Sequence, residues 1–580
     1  MINNERFSYK IKGNAVKNKM SWWEKLGRPQ YGGEMVIRAS RNIVNFDPYF
    51  GVGPVHIVTA WMERLVADDW TVDPTIFDYK PLWHPSQYLK GQLAENWEFT
   101  APNTYVVHLR RGITWQDIPP ANGREFVADD VVFHFNRLYG LGGGFTHPAP
   151  EPFTVLMFKD LISVTATDRY TLVFKWKTPN PELITETLFG ISLALSLENP
   201  DAVKLWGDVS DWHHAIGTGP FILKDFVPDT SATLTKNLNY WGYDERHPQN
   251  KLPYIETIKY LIIPDSGAAL TAMRSGKIDV MDAVTPVQAE AMRKTNPEIL
   301  QYLTPLPPTV SICPRIDKPP FNDINVRRAM QQAIDLPTIA KDYYHGLVEP
   351  YPDTLTSRYI SWSMKGWGFP YEEWPQGLKD EYAYNPTMAK RLLADAGYPN
   401  GFKTNIVVAA DAEMNLLQIV KSYFAQIGIE MEIRQMEAAE FVSFVQINHQ
   451  HDQLSHTPAG ALGHTAPPLL QLMWLRKGSP KNQMQMIDDP VCDGFYAKAM
   501  SCTDIDGIRQ ILREANEYVA RQHFSISLLQ AMSYSLCQPW LKGFDAQFGS
   551  TWGVATGPLM LSHYLGRFWI DQSVKKSMGH

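Results

Sequence analysis

Cysteine is scarce in this chain, with four residues among 580, at Cys313, Cys492, Cys502 and Cys537. None forms a CxxC pair, which excludes zinc ribbons and thioredoxin-type redox motifs. Cys492 and Cys502 could bridge, but buried free thiols are the preferred expectation. No stretch approaches the roughly 18 consecutive apolar residues of a membrane-spanning helix. An excess of one charge is missing too: 54 basic against 61 acidic residues leave a net charge of −7. That balance argues against a nucleic-acid footprint, and the lack of a polybasic run argues against an anionic membrane surface. Residues 1–30 are basic and polar, without the apolar segment of a secretory leader. On the sequence alone, the protein is either cytoplasmic or written without its leader. Residues 1–28 read as an N-terminal extension, with Trp22 and Trp23 as its anchor if it docks.

Catalytic signatures are absent as well. There is no GxSxG, HExxH or P-loop pattern. GLGGGF at 140–145 and GTGPF at 217–221 lack the third glycine of a dinucleotide fingerprint and read as turns. His449, His451, His456 and His464 fall in one stretch. Imidazoles so spaced could ligate a metal, but core or solvated histidines are the preferred reading, so His456 and His464 are only secondary metal candidates. No cofactor is expected.

What the chain has in plenty is aromatic surface: 18 Trp, 26 Tyr and 26 Phe, 12% in all. Such an excess suits thick cores or ligand-stacking pockets. Hydrophobic (44%) and charged (20%) fractions are those of an ordinary globular protein. Met35 to Ala39 reads as a strand. Val58, Trp61, Met62 and Leu65 have helical spacing, which predicts a helix over 55–66. QLAENWEFT, NTYVVHLRRGITW and RYTLVFKW alternate as antiparallel strands. FVADDVVFHFNRLYG predicts a helix with an acidic first turn. FKTNIVVAA, a helix ending at Gly428, and IEMEIRQM form a βαβ unit with a parallel strand pair. The fold class is α/β with a β-rich inserted subdomain.

Six segments, in order along the chain, resemble solute-binding protein family 5 of ABC importers, the dipeptide-, oligopeptide- and nickel-binding receptors. They are LAENWEFTAPNTYVVHLRRGITWQD, FVADDVVFHFNRL, GTGPFILKDFVPDTSATLTKNLNYWG, LPYIETIKYLIIPDSGAALTAMRSGKIDVM, PPFNDINVRRAMQQAID and YNPTMAKRLLADAGYPNGF. The resemblance implies a periplasmic binding protein-like type II clamp: two α/β lobes plus the β-rich insert, closing on a solute by a hinge. It places lobe one at 29–57, 206–305 and 536–580, the inserted subdomain at 58–205 and lobe two at 306–535, with hinge crossings near 305 and 535. It also implies a periplasmic or extracellular location: the expected protein is a monomeric receptor, not an enzyme, that hands its solute to ABC permease subunits and is membrane-associated through a leader absent from this sequence. Asp279 is expected to begin a strand, Arg327 and Arg328 to be surface or packing charges, and Gly397 to stop a helix.

The same resemblance yields site expectations. In peptide-binding members a lobe-two acid pairs with the peptide ammonium. The matching stretch here runs from Thr457 through Gly460 to Ala461, with Ala461 at the acid's position, and an alanine cannot balance a buried ammonium. Ala438 stands where oligopeptide binders carry a Trp. The expected lining is Asn45, Phe46, Tyr49, Trp362, Trp367, His456, Thr457, Gly460, Ala461, Trp474, Phe548 and Trp552. The favoured solute is a peptide or peptide-like molecule. Alternatives are an oligosaccharide stacked on Trp, or a metal chelate near His456 and His464. Outside the class stand a hydrolase with an unrecognised site and a sensing receptor.

Overall fold

The computed structural model describes residues 21–49, 55–81, 83–101, 103–149, 160–178, 180, 193–305, 311–352, 366–410, 412–456, 468–477, 479, 484–529, 532–547 and 560–580. Three sheets organise it. The first has seven strands, in the order Leu300–Pro305, Met532–Cys537, Val280–Val284, Glu34–Ala39, Thr257–Ile262, Ser231–Lys236 and Phe221–Val227. Glu34–Ala39 runs parallel to both of its neighbours, and the other pairings are antiparallel. Met35, Ile37 and Ala39 are buried on one face of this inner strand, while on the other Val36 packs against a second apolar cluster and the buried Arg38 donates to the Ile263 and Pro264 carbonyls. Asp279 lies just before the Val280–Val284 strand and accepts hydrogen bonds from the Val36 amide and the Trp540 indole, both at 2.6 Å.

The second sheet has five strands, in the order Ile429–Met436, Phe402–Ala409, Leu454–His456, Ser311–Pro314 and Ile526–Ser527. Its βαβ unit follows the sequence reading. Phe402 pairs with Ile429 and Ala409 with Met436 in parallel, across the helix Met414–Gln426. The connection is tight: at Gly401, with φ of 74°, an added Cβ would meet the Gly428 carbonyl oxygen at 1.9 Å. The third sheet is the antiparallel set Ala94–Ala101, Thr104–Leu109, Thr171–Trp176 and Leu161–Asp168. Helix Ala128–Tyr139 packs on it through Val131, Phe135 and Leu138.

A two-stranded ribbon at the edge of the first sheet precedes and follows the second sheet along the chain. Leu300–Pro305 pairs antiparallel with Met532–Cys537, and beyond them Ser311 pairs with Ser527 and Ile312 with Ile526. One apolar cluster also continues from the first and third sheets into helices Pro490–Ser501 and Ile505–Gln522.

Several expectations change in detail. Residues 55–66 are a short 3-10 turn, Val55–Ala60, followed by irregular chain. Trp61, Met62 and Leu65 are all almost fully buried, so their apolar spacing reflects burial on every side and not one helix face. Gly217 and Gly219 do more than turn the chain: added Cβ atoms would meet the Trp61 carbonyl oxygen at 1.8 and 2.7 Å. Arg327 is buried and donates to the carbonyls of Phe321, Gln522 and His523. All four cysteines are free thiols. Trp22 lies against Arg246, whose guanidinium also covers Trp70. Among the described residues no helix is long and apolar enough to cross a membrane.

Candidate functional site

In open α/β sheets ligands bind beyond the carboxyl ends of parallel strands. Two of the expected site loops leave such ends. Asn45, Phe46 and Tyr49 follow Glu34–Ala39, and the stretch beginning at His456 follows Leu454–His456, which is parallel to Phe402–Ala409.

The first loop is built by short-range hydrogen bonds and braced from outside. Asn45 Oδ1 accepts from the Asp47 amide at 2.7 Å, and Asp47 Oδ1 from the Tyr49 amide at 3.0 Å. Asp47 Oδ2 also takes the Arg137 guanidinium at 2.6 Å. Phe46 is buried between Trp61 and Phe226, with ring centroids 6.3 and 5.1 Å away. Tyr49 is buried too, and its hydroxyl lies 3.0 Å from Glu198 Oε1 and 2.9 Å from His134 Nδ1. His134 Nδ1 lies 2.6 Å from Glu198 Oε2, and Arg137 sits 4.3 Å above the Tyr49 ring. Burial alone would raise the Glu198 carboxyl, but His134 and Arg137 outweigh it and hold the pKa down to about 2. The result is a largely buried hydrogen-bonded ion network under the loop.

His456 is buried at the end of its strand, opposite Ile312. His451, its described neighbour on the chain, is engaged elsewhere. His451 Nε2 lies 3.0 Å from the Met484 carbonyl, and burial beside Arg315 lowers its pKa to about 4. Among the described residues no group of three or more His, Cys, Asp or Glu side chains could hold a metal. Trp367 is buried, edge-on to Trp83 at 4.5 Å with Arg509 at 4.8 Å over its ring. Trp474 is half-buried at the end of helix Pro468–Trp474. Trp362, Thr457, Gly460, Ala461, His464, Phe548 and Trp552 lie outside the described residues.

Sequence reasoning missed the bracing set His134, Arg137 and Glu198. A signal was present: His134 falls on the apolar stripe of its helix with Val131, Phe135 and Leu138, and a polar group on such a stripe needs a partner. The Trp83–Trp367 pair was also unforeseen. With Asn180, whose Nδ2 donates to the Ala499 carbonyl at 2.9 Å, it ties the 58–205 region to residues 306–535. Near the ribbon, a cavity of about 610 Å³ is lined by Leu303 and Tyr534 of the crossing strands and by Ala340, Gly346 and Val348 beyond them.

Comparison with known proteins agrees with this geometry. Residues 89–482 match the family model "Bacterial extracellular solute-binding proteins, family 5 Middle". The chain is 25% identical over 489 residues to heme-binding protein A of Haemophilus influenzae, covering 80% of this chain and 82% of that one. It is 25% identical to the glutathione-binding protein GsiB of Shigella boydii, covering 79% and 83%. Among solved structures, the periplasmic binding protein DppA of Helicobacter pylori in complex with the peptide STSA superposes with a TM-score of 0.69 at 20% identity, covering 95% of this chain and 99% of that one. NikA of Brucella suis in complex with Fe(III)-EDTA superposes with a TM-score of 0.68 at 18% identity, covering 91% and 99%. The chain belongs to family 5 of the bacterial extracellular solute-binding proteins.

Proposed function

We propose that this solute-binding receptor of an ABC importer captures a peptide or peptide-like solute between two lobes and delivers it to a membrane permease. The lobes are taken as 29–57, 206–305 and 536–580 for the first and 306–535 for the second, with 58–205 as the insert. The observation that carries the reading is the presence of two mixed sheets, each with a parallel strand pair, with the strands Leu300–Pro305 and Met532–Cys537 of the first flanking the second along the chain. A ligand held by loops of both sheets favours the approach of the two halves, because only then does it touch both. Of the described residues in the expected lining, Asn45, His456 and Trp474 stay as candidates to touch the solute. Phe46, Tyr49 and Trp367 serve by supporting the loops, since their rings are already packed. The protein works as a monomer in the periplasm or outside the cell and performs no chemistry on its solute.

Native mass spectrometry of freshly purified protein tests the solute. A retained mass that fragments as a peptide is expected, and a hexose-type mass removes the peptide reading. Thermal shift with a peptide mixture is the second measurement. Ligand at about a hundredfold excess over Kd adds about 2.7 kcal/mol of stability by mass action. Product formation during that screen would sink the receptor reading.

A further inference from the structure

A cavity of about 840 Å³, within the range of small-molecule sites, is lined only by residues within 67–113, 239–251 and 563–567. No lining residue comes from 306–535, so a molecule bound here is not gripped by both halves of the clamp.

Its charge is lopsided. Lys90, Arg110, Arg111 and Lys251 line it, and none makes an ion pair with a described carboxylate. Three carboxylates share the lining, and two are committed elsewhere. Asp68 takes His84 Nδ1 at 2.6 Å and the Tyr564 hydroxyl. Glu245 takes Arg567, with Nε 2.8 Å away. Glu95 alone remains against four cations. In a chain of net charge −7 this is a local reversal of sign. Neutral groups hold three of the cations, Arg110, Arg111 and Lys251, without neutralising them. Arg110 donates to the Gln92 and Gly91 carbonyls at 2.8 and 3.2 Å and lies 5.6 Å over Trp241. Arg111 lies 4.6 Å over Tyr170, and Lys251 donates to the Leu238 carbonyl at 3.2 Å. His563 also lines the cavity, and its buried Nε2 has no hydrogen-bond partner among the described residues. Burial and the Arg567 charge keep that ring well below its ordinary pKa, and an anion nearby would counter both.

We propose that this cavity is a second binding site, independent of the interlobe cleft, for a small polyanion bearing phosphate or carboxylate groups. Fixed donors that no internal anion satisfies are what charge-assisted recognition of such a ligand requires.

Isothermal titration of the full chain with tripolyphosphate, and separately with citrate, tests the site. One-site binding that weakens with salt is expected for at least one probe. The Lys90→Ala/Arg111→Ala double variant should lose at least about tenfold in affinity, or about 1.4 kcal/mol. Both side chains reach solvent, so its melting temperature without probe and its thermal response to peptides should match the parent. Lys90→Arg/Arg111→Lys should keep the binding. Failure of both probes to bind, or equal binding by the alanine variant, overturns the proposal. Binding to phosphatidylglycerol vesicles with neither free probe bound also overturns it, because the cations would then serve a membrane surface. The cleft takes no part, so a failed peptide screen leaves this site standing.

Discussion

Glu63 and Glu198 are both fully buried, and the protein holds them in opposite ways. Glu198 faces charge: His134 and Arg137 join the Tyr49 hydroxyl around it. Glu63 is hydrogen-bonded by neutral donors, and the Arg567 charge acts on it least of all its surroundings. Gln92 and Tyr240 donate to one oxygen at 3.1 and 2.8 Å, and Thr218 and Trp241 to the other at 2.8 and 3.0 Å. Burial pushes Glu63 up to about 6 despite these four hydrogen bonds, whereas Glu198 is held near 2. Hydrogen bonds alone do not offset desolvation here, and opposite charge does. The charged network braces the loop from Asn45 to Tyr49. The neutral one backs the wall formed by Tyr240 and Trp241 in the cationic cavity.

The strongest way to break this contrast is Glu198→Gln. It leaves His134 and Arg137 buried without their full partner and should cost about 3–5 kcal/mol in denaturant unfolding at neutral pH. A loss below about 1 kcal/mol would show that Asp47 alone can hold Arg137. Next in size is a pH dependence of opposite sign for the two carboxyls. The folded-state pKa of Glu63 lies above its ordinary 4.5, so its stabilising contribution is complete below 4.5 and is lost as pH rises toward 6. That amounts to about 2 kcal/mol, and Glu63→Gln should flatten this part of the stability profile. The folded-state pKa of Glu198 lies below 4.5, so its contribution is present above 4.5 and is lost as pH falls toward 2. Glu198→Gln should flatten that acid limb and leave the other unchanged. Tyr49→Phe keeps the ring under Arg137 but removes one donor to Glu198, for an expected loss of about 1–2 kcal/mol. The smallest effect is expected from Trp241→Phe. One donor to Glu63 disappears, costing about 1 kcal/mol at pH 7 and less at pH 5, where Glu63 carries more of its proton. An equal cost at both pH values would mean that Glu63 is not titrating in this range.

The scaffold was legible where periodicity and turn chemistry agree. Strands alternating around Thr104–Leu109 and Thr171–Trp176, the helix Ala128–Tyr139 and the βαβ unit over 402–436 all follow from local pattern. Residues 55–66 misled because a segment buried on all sides carries no face to read. The buried Glu63 and Arg64 in that segment gave no local signal at all, since their partners come from as far away as Trp241. The cationic cavity was invisible for the same reason: Lys251 lies more than a hundred residues beyond Lys90, Arg110 and Arg111, and nothing in the sequence near Lys90 points to Lys251. At the cleft, the loops could be placed by strand ends, but the anchoring of Asn45 to Tyr49 through Arg137 and His134 needed the tertiary structure.

The ribbon between the sheets also dictates an order of assembly. Every strand of the second sheet lies within one uninterrupted stretch, from Ser311 to Ser527, so that unit is complete as soon as that stretch is available. The first sheet is not. Met532–Cys537 must slot between Val280–Val284 and Leu300–Pro305, two strands made more than two hundred residues earlier. Until it arrives, both strands present unpaired edges, the kind of surface on which chains aggregate. The half of the molecule that begins first is thus the half that finishes last, and its long-range strand closure is the slow step to expect in refolding.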